Sequence, residues 1–218
     1  MNTMDVFMLV SINEKNGALL NRRSMLAYGL AGIAVHELSI TGRLSFEGKV
    51  VTLKSSSHTG DLLLDEVIDF MEKRHKSCKV TALVTRLSFK VNRIAKRTLE
   101  RLEDNGNIKI EQNRFLGLIP YNRYIISRVN EHEKLVNEIK EIIRNGDKRP
   151  EVRQALLISV LCACSVLHRL FDREERKQYR ETFRRIGKAT YFETLDEFGA
   201  EVHKAVKAAI TAANAAAT

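Results

Sequence analysis

The chain has 218 residues, 24.8 kDa, with 44% hydrophobic and 29% charged residues and a formal net charge of +9. That balance excludes a disordered chain and allows a sizeable core. Three cysteines (Cys78, Cys162 and Cys164) are too few and odd in number for a disulfide scaffold, so a reducing cytoplasm is expected.

In chain order, residues 4–12 predict a short apolar helix, ended by the turn Glu14-Lys15-Asn16-Gly17. Residues 1–10 carry Asp5 and no basic region, a poor signal peptide. Residues 21–41 predict a longer helix. Gly29 and Gly32 inside it imply close packing against a neighbour, despite their propensity cost. Gly42 ends it, and residues 43–53 predict a hairpin turning at Glu47-Gly48. A Ser-rich loop leads to a helix over 61–73, with Thr59 or Asp61 as its cap.

Residues 80–87 predict a short helix and 91–105 an amphipathic one. Val91, Ile94, Ala95, Thr98 and Leu102 form the apolar face of the second; Arg93, Lys96, Arg97, Glu100 and Arg101 lie opposite. Gly106 ends it. A second hairpin is expected with arms over 107–111 and 114–118, and 124–127 as an added edge. The remainder reads as helix over 129–144, 150–171, 174–187 and 190–217. The apolar run at 155–167 is too short to span a bilayer and predicts a buried central helix.

Leu38, Gly42, Leu44 and Phe46 recur as Leu102, Gly106, Ile108 and Ile110, each 64 positions on. The expected fold is therefore mostly α: one domain over 1–218, a helical bundle around a central hydrophobic helix, with small β-hairpins. Winged-helix-like units are expected about 21–54 and 80–127, with a helical part over 129–218.

The charge is concentrated. Residues 73–101 hold ten Lys or Arg and one acid, Glu100, a surplus of nine that equals the whole net charge. A focused cationic surface gathers polyanions, whereas dispersed charge mainly aids solubility. No catalytic set, metal site or cofactor motif stands out. His36-Glu37 opens like a zinc-protease helix, but the second histidine would fall at Ile40. Asp61, Asp65 and Glu66 read as a solvated acidic helix face with a capping role, and Cys162 and Cys164 as core thiols pointing to different sides.

Tyr28-Gly29-Leu30-Ala31-Gly32, Glu37-Leu38, Gly42-Arg43-Leu44, Thr59-Gly60-Asp61 and Leu63-Leu64-Asp65-Glu66 occur in order. With Leu99-Glu100-Arg101-Leu102, Phe115 to Pro120 and the apolar helix near 155–171, they resemble the Golgi phosphoprotein 3 family of cytoplasmic lipid-binding proteins. That resemblance implies a mostly helical fold with small hairpins. It also implies binding of phosphatidylinositol 4-phosphate, and a hairpin used for membrane contact and self-association. The chain lacks the long N-terminal extension of eukaryotic members and looks like the short bacterial relatives, which implies a bacterial cytoplasm. The family's headgroup contacts are an Arg within Gly-Leu-x-Gly, an earlier Trp and two Arg on the basic helix; here those positions hold Ala31, Arg22, Asn92 and Ala95.

Two function classes remain open. The first is peripheral attachment to an anionic phospholipid membrane. Arg22, Arg23, Arg86, Lys90, Arg93, Lys96 and Arg97 would meet headgroups. Phe115, Leu116, Leu118 and Ile119 would supply apolar contact with membrane or with a second copy. The second is a nucleic-acid-binding winged helix using the 91–105 helix. Its wing would be apolar, which disfavours it.

Overall fold

Helix α2 (Arg23–Ile40) is the centre of the molecule. Residues 25–36 and Leu38 are all buried, so this helix is enclosed on every side, as an all-round apolar helix must be. The computed structural model describes residues 1–73, 76–90, 94–115 and 118–216, and at 88–90 and 115 the backbone alone. Among these residues ten α-helices and two small antiparallel sheets form a mostly α fold.

Around α2 pack α1 (Thr3–Val10), α3 (Leu62–Glu72), α4 (Val80–Lys90), α5 (Ile94–Asp104), α7 (Val152–Ala163) and α10 (Glu197–Ala215). The expected central segment, α7, is buried from Ala155 to Leu161 but lies beside α2. Close approach depends on glycine. A Cβ on Gly29 would stand 2.6 Å from Cζ of Phe7 and 2.7 Å from Sγ of Cys164; one on Gly32 would stand 2.6 Å from Cγ2 of Val206.

Strands β1 (Leu44–Glu47) and β2 (Val50–Leu53) form the first hairpin, closing over Gly48 and Lys49. Strand β3 (Ser77–Lys79), absent from the sequence reading, adds to β2 and makes a three-stranded sheet. Strands β4 (Ile108–Phe115) and β5 (Ile119–Ile126) form the second. Its arms are longer than expected. Gln112 and Asn113, read as a turn, pair with Asn122 and Tyr121 instead. Polar residues there mark strands leaving the body for solvent, not a reversal.

The two helix-to-hairpin junctions share one construction. The N–H of Arg43 donates to the carbonyl of Leu38 at 2.8 Å, and that of Asn107 to Leu102 at 2.8 Å. Gly42 and Gly106 between them take φ of +71° and +68°, the left-handed turn that closes a helix.

In the C-terminal part the expected long helices are shorter. After α6 (Val129–Arg144), helix α7 stops at Ala163 because Ser165 turns left-handed at φ +55° and the Val166 amide reaches back to the Leu161 carbonyl at 2.8 Å. A 3-10 turn follows (Leu167–Leu170), then α8 (Arg173–Gln178) and α9 (Arg180–Ile186), divided at Tyr179. Helix α10 starts at Glu197 rather than at 190, because Asp196 caps it by accepting from the Gly199 amide at 2.7 Å. No helix among the described residues is long and apolar enough to cross a membrane.

Candidate functional site

The N-terminus of α2 is electrostatically unusual. Arg22 sits at its cap without a side-chain cap bond, Arg23 opens its first turn, and no acid stands there. Both arginines are exposed. Cations at the positive end of a helix dipole are unfavourable and leave its free amides to an incoming anion.

Arg23 faces α5. Together with Lys96 it lines a cleft of about 210 Å³, walled by β4 and β5 through Gln112 and Asn122 and floored by Leu99, Ile110 and Tyr124. Two glutamates share the cleft. Glu100 pairs with Lys96 at 3.3 Å. Glu103 is engaged structurally: Oε1 accepts from the Ile110 amide at 2.6 Å, fastening the hairpin to α5.

The remaining candidates divide. Arg97 pairs with Glu66 of α3. Arg101 is held between Asp5 at 2.8 Å and Asp61 at 2.9 Å. Both would have to face phosphates in the winged-helix reading, and both are turned to internal carboxylates. Arg86 is exposed on α4 and does not line this cleft. Its charge acts on Cys78, opposing the upward push that burial gives that thiol. Arg93 and Leu116 lie outside the described residues, as do the side chains of Lys90 and Phe115. Of the four positions that the resemblance aligns with headgroup contacts, Ala31 and Ala95 are buried and offer no surface group, Arg22 is exposed, and Asn92 lies outside the described residues.

The acidic trio is likewise used inside the fold. Asp61 caps α3 through the Leu63 amide at 2.8 Å, and Asp65 accepts from Thr59 twice at 2.7 Å. The expected capping role is present in Asp61, and Asp61 and Glu66 also hold α3 against α5 through Arg101 and Arg97 rather than only facing solvent. His36 is buried against the Phe198 ring. Glu37 accepts from Arg153 at 3.1 Å and Thr3 at 2.6 Å. Cys164 Sγ approaches the Met25 carbonyl and Cys162 Sγ the Phe183 carbonyl, on two sides of α7. Burial pushes the Cys162 thiol up to about 11, the behaviour of an inert core thiol.

Leu118 and Ile119 stand at the far end of the β4–β5 hairpin, 83% and 63% exposed, with Tyr121 also exposed. A second hollow, between α1, α6 and α7, is lined by Val6, Leu135 and Leu157; Arg153 on its rim is already paired with Glu37.

A helix start rich in arginine, a basic helix, the Thr-Gly-Asp frame and an apolar-tipped hairpin thus occur in one fold. A family model described as Golgi phosphoprotein 3 (GPP34) matches residues 4–213. The chain belongs to the Golgi phosphoprotein 3 family.

Proposed function

We propose that this protein binds anionic phospholipid headgroups at a membrane surface, and acts by binding rather than by catalysis. One observation carries the reading: a single hairpin supplies both the wall of the Arg23–Lys96 cleft, through Gln112 and Asn122, and the exposed tip, Leu118 and Ile119. From the Gln112–Asn122 pair to the Phe115–Ile119 pair is three residues along each strand, about 10 Å. A tip inserted to the headgroup–acyl boundary, about 5–10 Å deep, brings the cleft to the level of the phosphates.

Neither contribution suffices alone. Arg22, Arg23 and Lys96 each contribute about 1 kcal/mol near an anionic leaflet, screened by salt. Burying Leu118 and Ile119 adds about 1.5–3 kcal/mol apiece. Charge with an apolar wedge is the two-part attachment that peripheral proteins use. With Ala31 and Ala95 buried, recognition rests on phosphate charge more than on one inositol ring.

The test is co-sedimentation of the full chain with phosphatidylcholine vesicles, plain or containing phosphatidylserine or phosphatidylinositol 4-phosphate. A duplex-DNA gel shift at matched salt runs beside it. Binding to both acidic vesicles, absent on plain ones and weakened by Arg23→Gln/Lys96→Gln, supports the reading. Equal binding to plain vesicles, or a gel shift at physiological salt without vesicle binding, ends it.

A further inference from the structure

A second cationic surface lies outside the cleft. Residues 168–188 carry eight Lys or Arg against four Asp or Glu. The acids are occupied. Asp172 caps α8 by accepting from the Glu175 amide at 2.9 Å, and Glu175 receives Arg144 of α6 at 2.5 Å. Glu174 pairs with Lys177 at 3.0 Å and Glu181 with Arg184 at 2.6 Å. Among the described residues, Arg169, Arg173, Arg176 and Arg180 therefore have no carboxylate partner, and all four are exposed.

Their placement is ordered. Phe171 packs its ring on Tyr179 at 6.0 Å and on Phe183 at 5.2 Å, which fixes the inward side of α8 and α9. Arg173 and Arg176 lie three apart on α8 and are neighbours on its exposed side, and Arg180 opens α9 just past the break at Tyr179. Like charges so placed repel; Arg176 Nε donates to the Asp172 backbone carbonyl at 3.1 Å, a bond that leaves its charge without a carboxylate. Burial, and then the charges of Arg169 and Arg176, lower the pKa of half-buried His168.

The Asn21 side-chain amide donates to the Cys164 carbonyl at 2.6 Å, which ties the residue before Arg22 to the C-terminal end of α7, five residues ahead of Arg169. The rings of Phe171, Tyr179 and Phe183 are engaged with one another rather than set out to stack on bases. An exposed arginine face without an exposed aromatic complements a plane of lipid phosphates.

We infer that the Arg169, Arg173, Arg176 and Arg180 face is a second docking surface for the anionic bilayer, setting how the molecule lies on it. The inference rests on the membrane reading above. Its test uses the full chain, an Arg173→Gln/Arg176→Gln/Arg180→Gln variant and the Arg23→Gln/Lys96→Gln variant. Partition onto phosphatidylserine vesicles is measured against salt. The triple variant should keep its helix content, bind about a hundredfold more weakly at low salt (about fivefold per arginine) and show a shallower salt slope. Vesicle binding by the wild type with an unchanged triple variant overturns this inference and leaves the cleft reading intact. No vesicle binding by the wild type removes both. A triple variant that loses duplex DNA in a gel shift but keeps vesicles reassigns the face to nucleic acid.

Discussion

Nε of Arg101 donates to Oδ1 of Asp5 across 2.8 Å, while Nη1 of the same guanidinium donates to Oδ2 of Asp61 at 2.9 Å. One side chain on α5 thereby holds α1 and the cap of α3. The Asp5 carboxylate is almost fully buried, 6% exposed. Removing its partner leaves a charge without water or counterion. Arg101→Met should cost about 3 kcal/mol in urea unfolding. Arg101→Lys should recover only part of it, because an ammonium lacks the planar fork that serves two carboxylates. A loss below about 1 kcal/mol for Arg101→Met would place Asp5 in contact with water.

Glycine positions should split by mechanism. Gly29→Ala gains about 1 kcal/mol of helix propensity, but its methyl meets Phe7 and Cys164, both fully buried. Overpacking of about 1–3 kcal/mol outweighs the gain, so net destabilisation is expected. Gly42→Ala meets no atom within 4 Å, and should lose about 1 kcal/mol from its left-handed backbone alone. Gly106→Ala, in the matching junction, should lose the same within error. Chemical denaturation of the three variants checks the ordering; a stabilised Gly29→Ala would mean the α1–α2–α7 contact is loose.

Stability should fall on mild acidification. Burial holds the imidazoles of His36, His132 and His203 below their ordinary pKa of 6.5. Among the described residues His36 and His132 have no hydrogen-bond partner on either ring nitrogen, and a carboxylate oxygen of Asp196 stands 3.7 Å from His36 Nε2. The unfolded chain takes up protons near pH 6.5 that the folded chain refuses. Stability is thus complete above that value and declines as pH drops through it toward the depressed folded values. Thermal melts between about pH 7.5 and 5 should show Tm falling. His36→Phe, which keeps the stacking on Phe198, should flatten part of the slope. A Tm that is constant or rises over that range would contradict it.

The two halves of the proposed lipid site should be separable. Leu118→Ser/Ile119→Ser changes exposed side chains only, so Tm should hold while vesicle partition drops with its salt slope kept. Arg23→Gln/Lys96→Gln should lower partition about 30-fold at low salt and make the slope shallower. Size-exclusion chromatography of the Leu118→Ser/Ile119→Ser variant tests the hairpin as a self-association surface. Unchanged partition for both variants would move membrane contact to another face.

Local signals were readable in the sequence. Gly42 and Gly106, 64 positions apart, announced two helix-closing turns, and both occur with matching hydrogen bonds. The family motif around Gly29 to Gly32 marked a helix in close contact, and the overlaps a Cβ would make there bear this out. The ends of the C-terminal helices were not readable. They are set by a left-handed serine and an aspartate cap, neither of which interrupts apolar periodicity.

Composition and spacing thus determined a helical fold, its turns and a surplus of positive charge near α5, because these depend on residues close in sequence. Tertiary structure alone decided which cations remain free. Arg97 and Arg101 are absorbed by Glu66, Asp5 and Asp61, carboxylates brought from distant segments. Arg23 is left on the cleft beside Lys96, whose own partner Glu100 lines the same cleft at 3.3 Å. Charge pairing is a matter of a few ångströms in space, and no one-dimensional count records that distance.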